Sequence, residues 1–356
     1  MSTHDTPGPD QRPLLARRGF LRGMAATGLG AGLAGITSAS WRHPAEAAAM
    51  ATLSVQSLWI NDAEFAGYFV AQDRKYYTQF GVNQKWIPGG PAIDPQAVVA
   101  AGRADIGISG GGDFLMLFRA KGAPVVAIGT MYQKSPAGLM SLPSKPIRRP
   151  KDLIGKRIGL QQGARPAFDA ILAANHLSPD QMTFVTVGFD PSPLTSGQVD
   201  AYWAYATNQP IILADQGVKT VFMYASDWGY YFYTDVIFVT EHTLARHEDA
   251  LVRWLRASIK GWEVALADPV TSGKTVMKYA APGLKLKDQI TQSRVQRPLM
   301  TGPLTMKKGL FWMDLSYWQQ GMEVLVRTKR LSKPLDVHQM VTNRLLEKAF
   351  GGKNHI

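Results

Sequence analysis

Gly110-Gly111-Gly112 lies between a strand-like apolar stretch and a helix-like one, a placement in which backbone N–H groups can cradle a phosphate. This run fits neither G-x-x-x-x-G-K-S/T nor G-x-G-x-x-G, so these glycines give no nucleotide specificity. Seven histidines stand at 4, 43, 176, 242, 247, 338 and 355 without an H-E-x-x-H pair, and His242 and His247, beside a predicted helix start, read as surface or capping residues. With no cysteine in the chain, disulfides, Cys-ligated zinc, iron-sulfur clusters and thiol nucleophiles are excluded. No catalytic residue, metal or cofactor is therefore expected.

Binding is better represented. Residues 202–233 hold ten aromatics, Tyr202, Trp203, Tyr205, Phe222, Tyr224, Trp228, Tyr230, Tyr231, Phe232 and Tyr233, where average usage gives about three. Tyr and Trp present a flat apolar face with a polar edge, which suits stacking on a heteroaromatic ring. Tyr202, Phe222 and Tyr224 fall on predicted strands and read as core. Trp228 to Tyr233 falls in a loop, which has less need of five large rings. On the first predicted helix, Phe69 and Tyr76 are seven apart and face the sheet, leaving Phe65 and Tyr68 as ligand candidates.

The elements that would position these groups alternate. Strands are predicted at Leu53 to Ile60, Val82 to Ile87, Asp105 to Ser109 and Val125 to Met131, with helices at Ala63 to Tyr77, Asp94 to Ala101 and Asp113 to Lys121. That rhythm calls for a mainly parallel sheet covered by helices. After the proline-broken loop 145–150 a second set follows, with strands at Arg157 to Gln161, Met182 to Val187, Ala201 to Tyr205 and Thr220 to Tyr224, and helices at Pro166 to Asn175 and Gln209 to Gln216. Beyond a strand at Asp235 to Val239 the chain turns helical, most clearly over Ala245 to Leu266, Lys308 to Thr328 and Asp336 to Ala349. A chain of 356 residues with 46% hydrophobic and 19% charged residues can build one large or two ordinary domains. Its net charge of +12 is scattered rather than clustered, which speaks against nucleic acid. Residues 1–49 are set apart: Arg17-Arg18-Gly19-Phe20-Leu21-Arg22, a weakly apolar Ala/Gly stretch and A-x-A sites at 45–49 form a twin-arginine export signal. A mature protein outside the cytoplasmic membrane, in the periplasm or at the cell surface, is expected.

Several motifs in order carry a family resemblance: NDAEFAGYFVAQDRKYYTQFG at 61–81, IPGGPAIDP at 87–95, AGRADIG at 101–107, KDLIGKRIG at 151–159, GQVDAY at 197–202 and YTDVIF at 233–238. The series resembles the NMT1/THI5-like solute-binding proteins of ABC importers over roughly residues 53–265. The resemblance implies an α/β fold of the type II periplasmic-binding-protein kind, two lobes joined by crossovers and closing on a ligand, with a helical C-terminal tail. It also implies a membrane permease with its ATPase as partner, a monomer, and ligands among thiamine pyrimidine precursors, riboflavin, sulfonates, nitrate or aromatic acids. The Pro-Gly-Gly-Pro stretch and the aromatic second lobe look most like the pyrimidine and riboflavin branch. Asn208-Gln209-Pro210 stands where relatives carry Asn-Glu-Pro, which argues against an amino-pyrimidine. The family's eukaryotic pyrimidine synthase needs a cysteine-rich motif that this chain lacks, so that particular enzyme reading falls.

That fold implies lobe boundaries of 50–138, 139–234 and 235–356, the last returning to the first lobe, with crossovers near Gly138 to Ser141 and Tyr233 to Val236. Ligands in open α/β sheets lie beyond the carboxyl ends of the strands, here Trp59 to Asp62, Pro88 to Gly90, Ser109 to Asp113, Tyr132, Gln161 to Arg165 and Tyr205 to Asn208. Trp59, Phe65 and Tyr68 would form one wall and Trp228, Tyr230 and Tyr231 the other. Gly89, Gly90, Gly110 and Gly111 would let backbone donors approach, and Asn61, Ser109, Tyr132, Gln161, Tyr205, Asn208 and Asp235 would supply polar contacts. Arg165 is the only basic side chain in these segments. The expectation is capture of a planar heteroaromatic or aromatic molecule, flavin-like or pyrimidine-like. A binder of small oxyanions such as alkyl sulfonates, and a periplasmic enzyme on the same fold, are the alternatives.

Overall fold

The computed structural model describes residues 50–356; the expected export signal at 1–49 lies outside them. The chain forms two five-stranded sheets. The first contains β1 (Ala51–Gln56), β2 (Val82–Ile87), β3 (Ile106–Ser109), β4 (Val125–Tyr132) and β10 (Thr234–Thr240), in the order β2-β1-β3-β10-β4. The second contains β5 (Ala137–Ser141), β6 (Arg157–Leu160), β7 (Thr183–Thr186), β8 (Ala201–Tyr205) and β9 (Val221–Tyr224), in the order β7-β6-β8-β5-β9. All eight residues of β4 are buried although it ends the sheet, because the C-terminal segment covers its open edge, with the Thr342 N–H donating to the Ala127 carbonyl at 3.0 Å.

Each sheet is mixed rather than simply parallel. β1 runs parallel to β2 and β3, whereas β10 is antiparallel to both β3 and β4. β5 is likewise antiparallel to β8 and β9. The strand that arrives from the other sheet inserts in the reverse direction because no crossover helix turns it around. The expected crossover stretch Gly138 to Ser141 is itself β5; the chain passes between the sheets at 133–136 and again at 225–233. Gly138 is required by this packing, since a Cβ there would run into the Met223 carbonyl of β9.

Several expected helices are broken. The one at Ala63 to Tyr77 opens as a 3-10 turn, Ala63–Phe65, capped by Asp62, continues as Ala66–Asp73, and restarts as Tyr76–Gln79 after Lys75 at φ 59°. Lys308 to Thr328 divides into Pro303–Lys308 and Leu315–Arg327 around Gly309 and Phe311, both at positive φ. Asp336 to Ala349 divides into Val337–Met340 and Arg344–Phe350. Helix Leu286–Met300 is unforeseen because its buried face is polar: Gln289, Gln292, Ser293 and Gln296 all point inward. Two of these glutamines hold the Ala63–Phe65 turn, Gln289 Oε1 accepting from Ala63 N–H at 2.7 Å and Gln296 Nε2 donating to the Ala63 carbonyl. The polar helix thus fixes the turn that carries Glu64.

Helix Glu241–Ala267 lies on helix Ala66–Asp73 and brings Trp254 and Trp262 against Tyr68, with ring centroids 5.7 and 5.9 Å apart. These rings anchor the core of the first sheet's layer. Among the described residues no helix is long and apolar enough to cross a membrane.

Candidate functional site

The carboxyl ends of the strands in both sheets open on a cavity of about 720 Å³, within the range that encloses a drug-sized ligand. One side comes from Leu58 and Trp59 after β1, Gly90 to Gln96 after β2, and Gly110 and Phe114 after β3. The other comes from Gln161 to Ala164, Pro166 and Ala167 after β6, and from Trp203, Tyr205, Asn208 and Gln209 at the end of β8 and the helix after it. Tyr230 and Phe118 complete six aromatic walls with Trp59, Phe114, Trp203 and Tyr205. Gln161 is held by bonds from Nε2 to the Trp203 carbonyl at 3.1 Å and the Gly188 carbonyl at 3.3 Å. Tyr230 donates to the buried Asp113 at 2.7 Å, and burial raises that carboxyl to about 6.

The polar end of the cavity is acidic. Glu64 lines it while only 5% exposed, and Asp62 and Asp235 lie fully buried nearby. Asn208 Nδ2 donates to Asp62 Oδ2 at 2.6 Å, and the Tyr205 hydroxyl donates to Asp235 Oδ1 at 3.1 Å. Glu64 Oε1, Asp235 Oδ2 and Asn208 Oδ1 are sealed from solvent and accept from no amide, hydroxyl or cationic donor among the described residues, and the Glu64 carboxyl, kept protonated, hydrogen-bonds to Asp235. The carboxyls are near enough to act on one another's proton affinity. Burial, the largest cause, raises Asp62 to about 7 and Asp235 to about 8, and raises Glu64 well above the usual carboxylate range. Asp235 also adopts φ 53°, a left-handed conformation uncommon for a residue that is not glycine.

The structure places Trp59, Gly90, Gly110, Gln161, Tyr205, Asn208 and Tyr230 on the cavity wall, and the other sequence candidates off it. Phe65 and Tyr68 are fully buried core, because the helix turns them toward Trp86, Trp254 and Trp262 rather than the cleft. Asn61 accepts from Trp86 Nε1 at 2.9 Å and donates to the Tyr279 carbonyl at 3.0 Å. The Gly89 N–H is taken by Ser57 Oγ and the Trp59 carbonyl. Ser109 is buried between Gln96 and Gly111, and Gly111 packs against Asp113 and Tyr230. Tyr132 is buried with its hydroxyl on Gln296.

Arg165 is drawn away by Asp169 at 2.7 Å and lies 3.9 Å over the Phe184 ring. Trp228 is buried under Asn175, which donates to its carbonyl, and Tyr231 is 45% exposed off the cavity. Asp235 sits behind Tyr205, one layer from the wall.

Glu64, Gln96, Phe114, Phe118, Trp203 and Gln209 are lining residues that sequence reasoning missed. Three of these had signals. Phe114 and Phe118 are four apart on the helix after the glycine run, and Trp203 shares the face of β8 with Tyr205 by period-two alternation.

Two α/β lobes with a ligand-sized cavity at facing strand ends define the periplasmic-binding-protein fold. The chain belongs to the NMT1/THI5-like family, whose model matches residues 62–272. A riboflavin-binding protein, RibY of Chloroflexus aurantiacus, is 27% identical, covering 81% of this chain and 84% of RibY. A 4-amino-5-hydroxymethyl-2-methylpyrimidine phosphate synthase of Legionella pneumophila is 22% identical over 81% of this chain and 90% of the synthase. Among solved structures, the alkanesulfonate-binding protein SsuA of Xanthomonas axonopodis pv. citri superposes with TM-score 0.63 at 19% identity, covering 83% of this chain and 99% of SsuA. The relatives thus include both binding proteins and enzymes.

Proposed function

We propose that this protein is the solute-binding component of an ABC importer and captures a planar heteroaromatic or aromatic molecule between its lobes. The observation that carries this reading is the cavity itself: about 720 Å³ and walled by six aromatic side chains from both sheets. A small alkyl sulfonate would fill little of that volume. The sequence similarity to RibY supports the same ligand class. Export through the twin-arginine signal at 1–49, lobe boundaries near 138 and 234, delivery to a permease with its ATPase, and action as a monomer belong to this reading. Binding proceeds without turnover.

The test is mass spectrometry of ligand carried through purification from native cells, followed by titration of riboflavin and lumichrome into ligand-free protein. A planar aromatic compound recovered unchanged after prolonged incubation is the expected result. A bound alkyl sulfonate, or conversion of the bound compound, would overturn the reading.

A further inference from the structure

The cavity wall changes character along one helix. Helix Gly112–Ala120 turns Phe114, Leu117 and Phe118 onto the cavity and leads into Lys121, which lines it too. These positions fall three or four residues apart and so share one face. At 1.5 Å per residue, Lys121 stands about 10 Å beyond Phe114 along the axis. Helix Leu315–Arg327 packs on the same helix, and the two residues that follow its cap, Lys329 and Arg330, also line the cavity. Lys329 adopts φ 58°, and the Lys329 and Arg330 N–H groups donate back to the Val326 and Leu325 carbonyls at 3.0 and 2.8 Å. That cap fixes the backbone from which both cations project.

The two acids on the wall do not neutralise these cations. Asp94 accepts from the Gln96 and Ala97 N–H groups at 2.9 and 3.2 Å, and Glu64 is buried against Asp235. Lys121 and Lys329 are exposed and form no ion pair among the described residues. Arg330 Nη1 donates to Asp169 Oδ2 at 3.2 Å, while Arg165 Nε donates to Oδ1 of the same carboxylate at 2.7 Å. One carboxylate thus faces two guanidiniums, so a positive charge is left unmatched, and Arg330 is held in place with further N–H groups free. Lys121 and Lys329 both follow helix C-termini, where the backbone presents carbonyls rather than N–H groups. The positive character of this part of the wall therefore comes from side chains alone.

We propose that Lys121, Lys329 and Arg330 form an anion subsite on the cavity wall, so that the ligand is a planar aromatic ring whose short tail ends in a phosphate or carboxylate. This rests on the reading of the cavity as an aromatic ligand site and narrows it. The ring lies against Phe114 and Phe118, and the tail runs along the helix to the cations. Like charges grouped on one wall without counter-ions attract an anion into the cleft, and the partly fixed Arg330 gives it a directed donor pair. Because the charges are exposed, salt screens the attraction.

The test compares riboflavin with riboflavin 5′-phosphate, which share one ring system and differ by the phosphate on the tail. Both are titrated calorimetrically into the full chain at about pH 8, where a phosphate monoester is close to doubly charged. Exposed ion pairs are individually weak, so the three cations together should make the phosphate bind about tenfold more tightly than riboflavin at low salt. Molar salt should bring the two Kd values together. Riboflavin's own salt response reads lobe closure alone, so the ratio isolates the subsite. The Lys121→Gln, Lys329→Asn double variant should bring the ratio close to one; Asn tolerates the left-handed backbone at 329. The Lys219→Ala, Lys353→Ala variant removes the same net charge from exposed lysines off the cavity and should keep the ratio. The wild-type comparison needs no variant and stands if one fails to fold. Equal Kd values for the two flavins, a ratio that survives in Lys121→Gln, Lys329→Asn, or one that is lost in Lys219→Ala, Lys353→Ala overturns the anion subsite while leaving the aromatic cavity standing. Binding by neither flavin overturns both.

Discussion

Asn208 donates through Nδ2 to Asp62 Oδ2 at 2.6 Å, a buried bond that ties the turn after β1 in one sheet to the turn after β8 in the other. Removing only the donor leaves a buried carboxyl without its partner, which costs about 1–3 kcal/mol. Asn208→Ala should therefore lower unfolding stability by that amount. Asp62→Ala in the same background should cost much less than in the wild type, because the two residues share one interaction. Urea unfolding of the four members of the cycle checks this, and additive losses would mean that the bond does not couple the turns.

The same carboxyls set the direction of the pH dependence. Folding raises Asp62 to about 7, Asp235 to about 8 and Asp113 to about 6, against an ordinary value of 3.8. For groups raised in the folded state, stability is full below the unfolded value and is lost as pH climbs through the folded one. The melting temperature should fall steadily from pH 5 to pH 9. Even one pKa unit of this linkage, about 1.4 kcal/mol, moves Tm by roughly 2 °C in a chain of this size. Asp62→Asn should remove the part of the decline that runs from the ordinary carboxylate value up to about pH 7. A melting temperature that rises over this range would contradict the protonation states assigned to the cluster.

Tyr68 and Trp203 separate core from site. Tyr68 stacks on Trp254 in the fully buried core, and its hydroxyl has no hydrogen-bond partner among the described residues. Tyr68→Phe should leave stability unchanged or improve it, whereas Tyr68→Ala should cost about 3–5 kcal/mol through the cavity it opens. Trp203 lines the ligand cavity. Trp203→Ala should weaken binding of the native ligand by about tenfold, equivalent to about 1.4 kcal/mol, and Trp228→Ala should act on stability instead. Paired calorimetric and melting measurements distinguish the two classes of effect.

This division marks how far the amino-acid pattern reached. β2 and β8 appear at their expected bounds, β2 because buried and exposed side chains alternate over its first four residues and β8 because its run is apolar throughout. The reversed strands β5 and β10 leave no such mark, since strand direction depends on which sheet the chain arrives from. On the first helix, periodicity selects Phe65 and Tyr68 as off-sheet residues, yet helix Glu241–Ala267 covers that face from a distant part of the chain. Arg165 shows the same limit at shorter range: its charge is legible, and its partner Asp169, one turn on, withdraws it from the cavity. Glu64 could not be singled out because its burial depends on helix Leu286–Met300, whose polar inner face hides its helical pattern.

The last prediction concerns closure. Asp215 ends the helix after β8, and Lys285 and Lys287, at the start of helix Leu286–Met300, reach it at 2.9 and 2.6 Å. These two contacts pull Asp215 down to about 2. Helix Leu286–Met300 packs on the turn after β1, so the ion pairs, like Asn208 and Asp62, join elements of opposite sheets. Unlike that buried bond, the lysines are 61% and 78% exposed, so salt screens them. A contact that exists only when the lobes are together favours the closed population by its own free energy, and ligand affinity falls when it is weakened. Raising ionic strength from low to molar salt should therefore increase the wild-type Kd by a few fold. Asp215→Asn should show a weaker affinity at low salt and little further dependence. Small-angle scattering of ligand-free protein should register the same change as a larger radius in Asp215→Asn and in the Lys285→Ala, Lys287→Ala double variant. A radius and a salt response identical to wild type in both variants would mean that closure is governed by Asn208 and Asp62 without help from the surface pair.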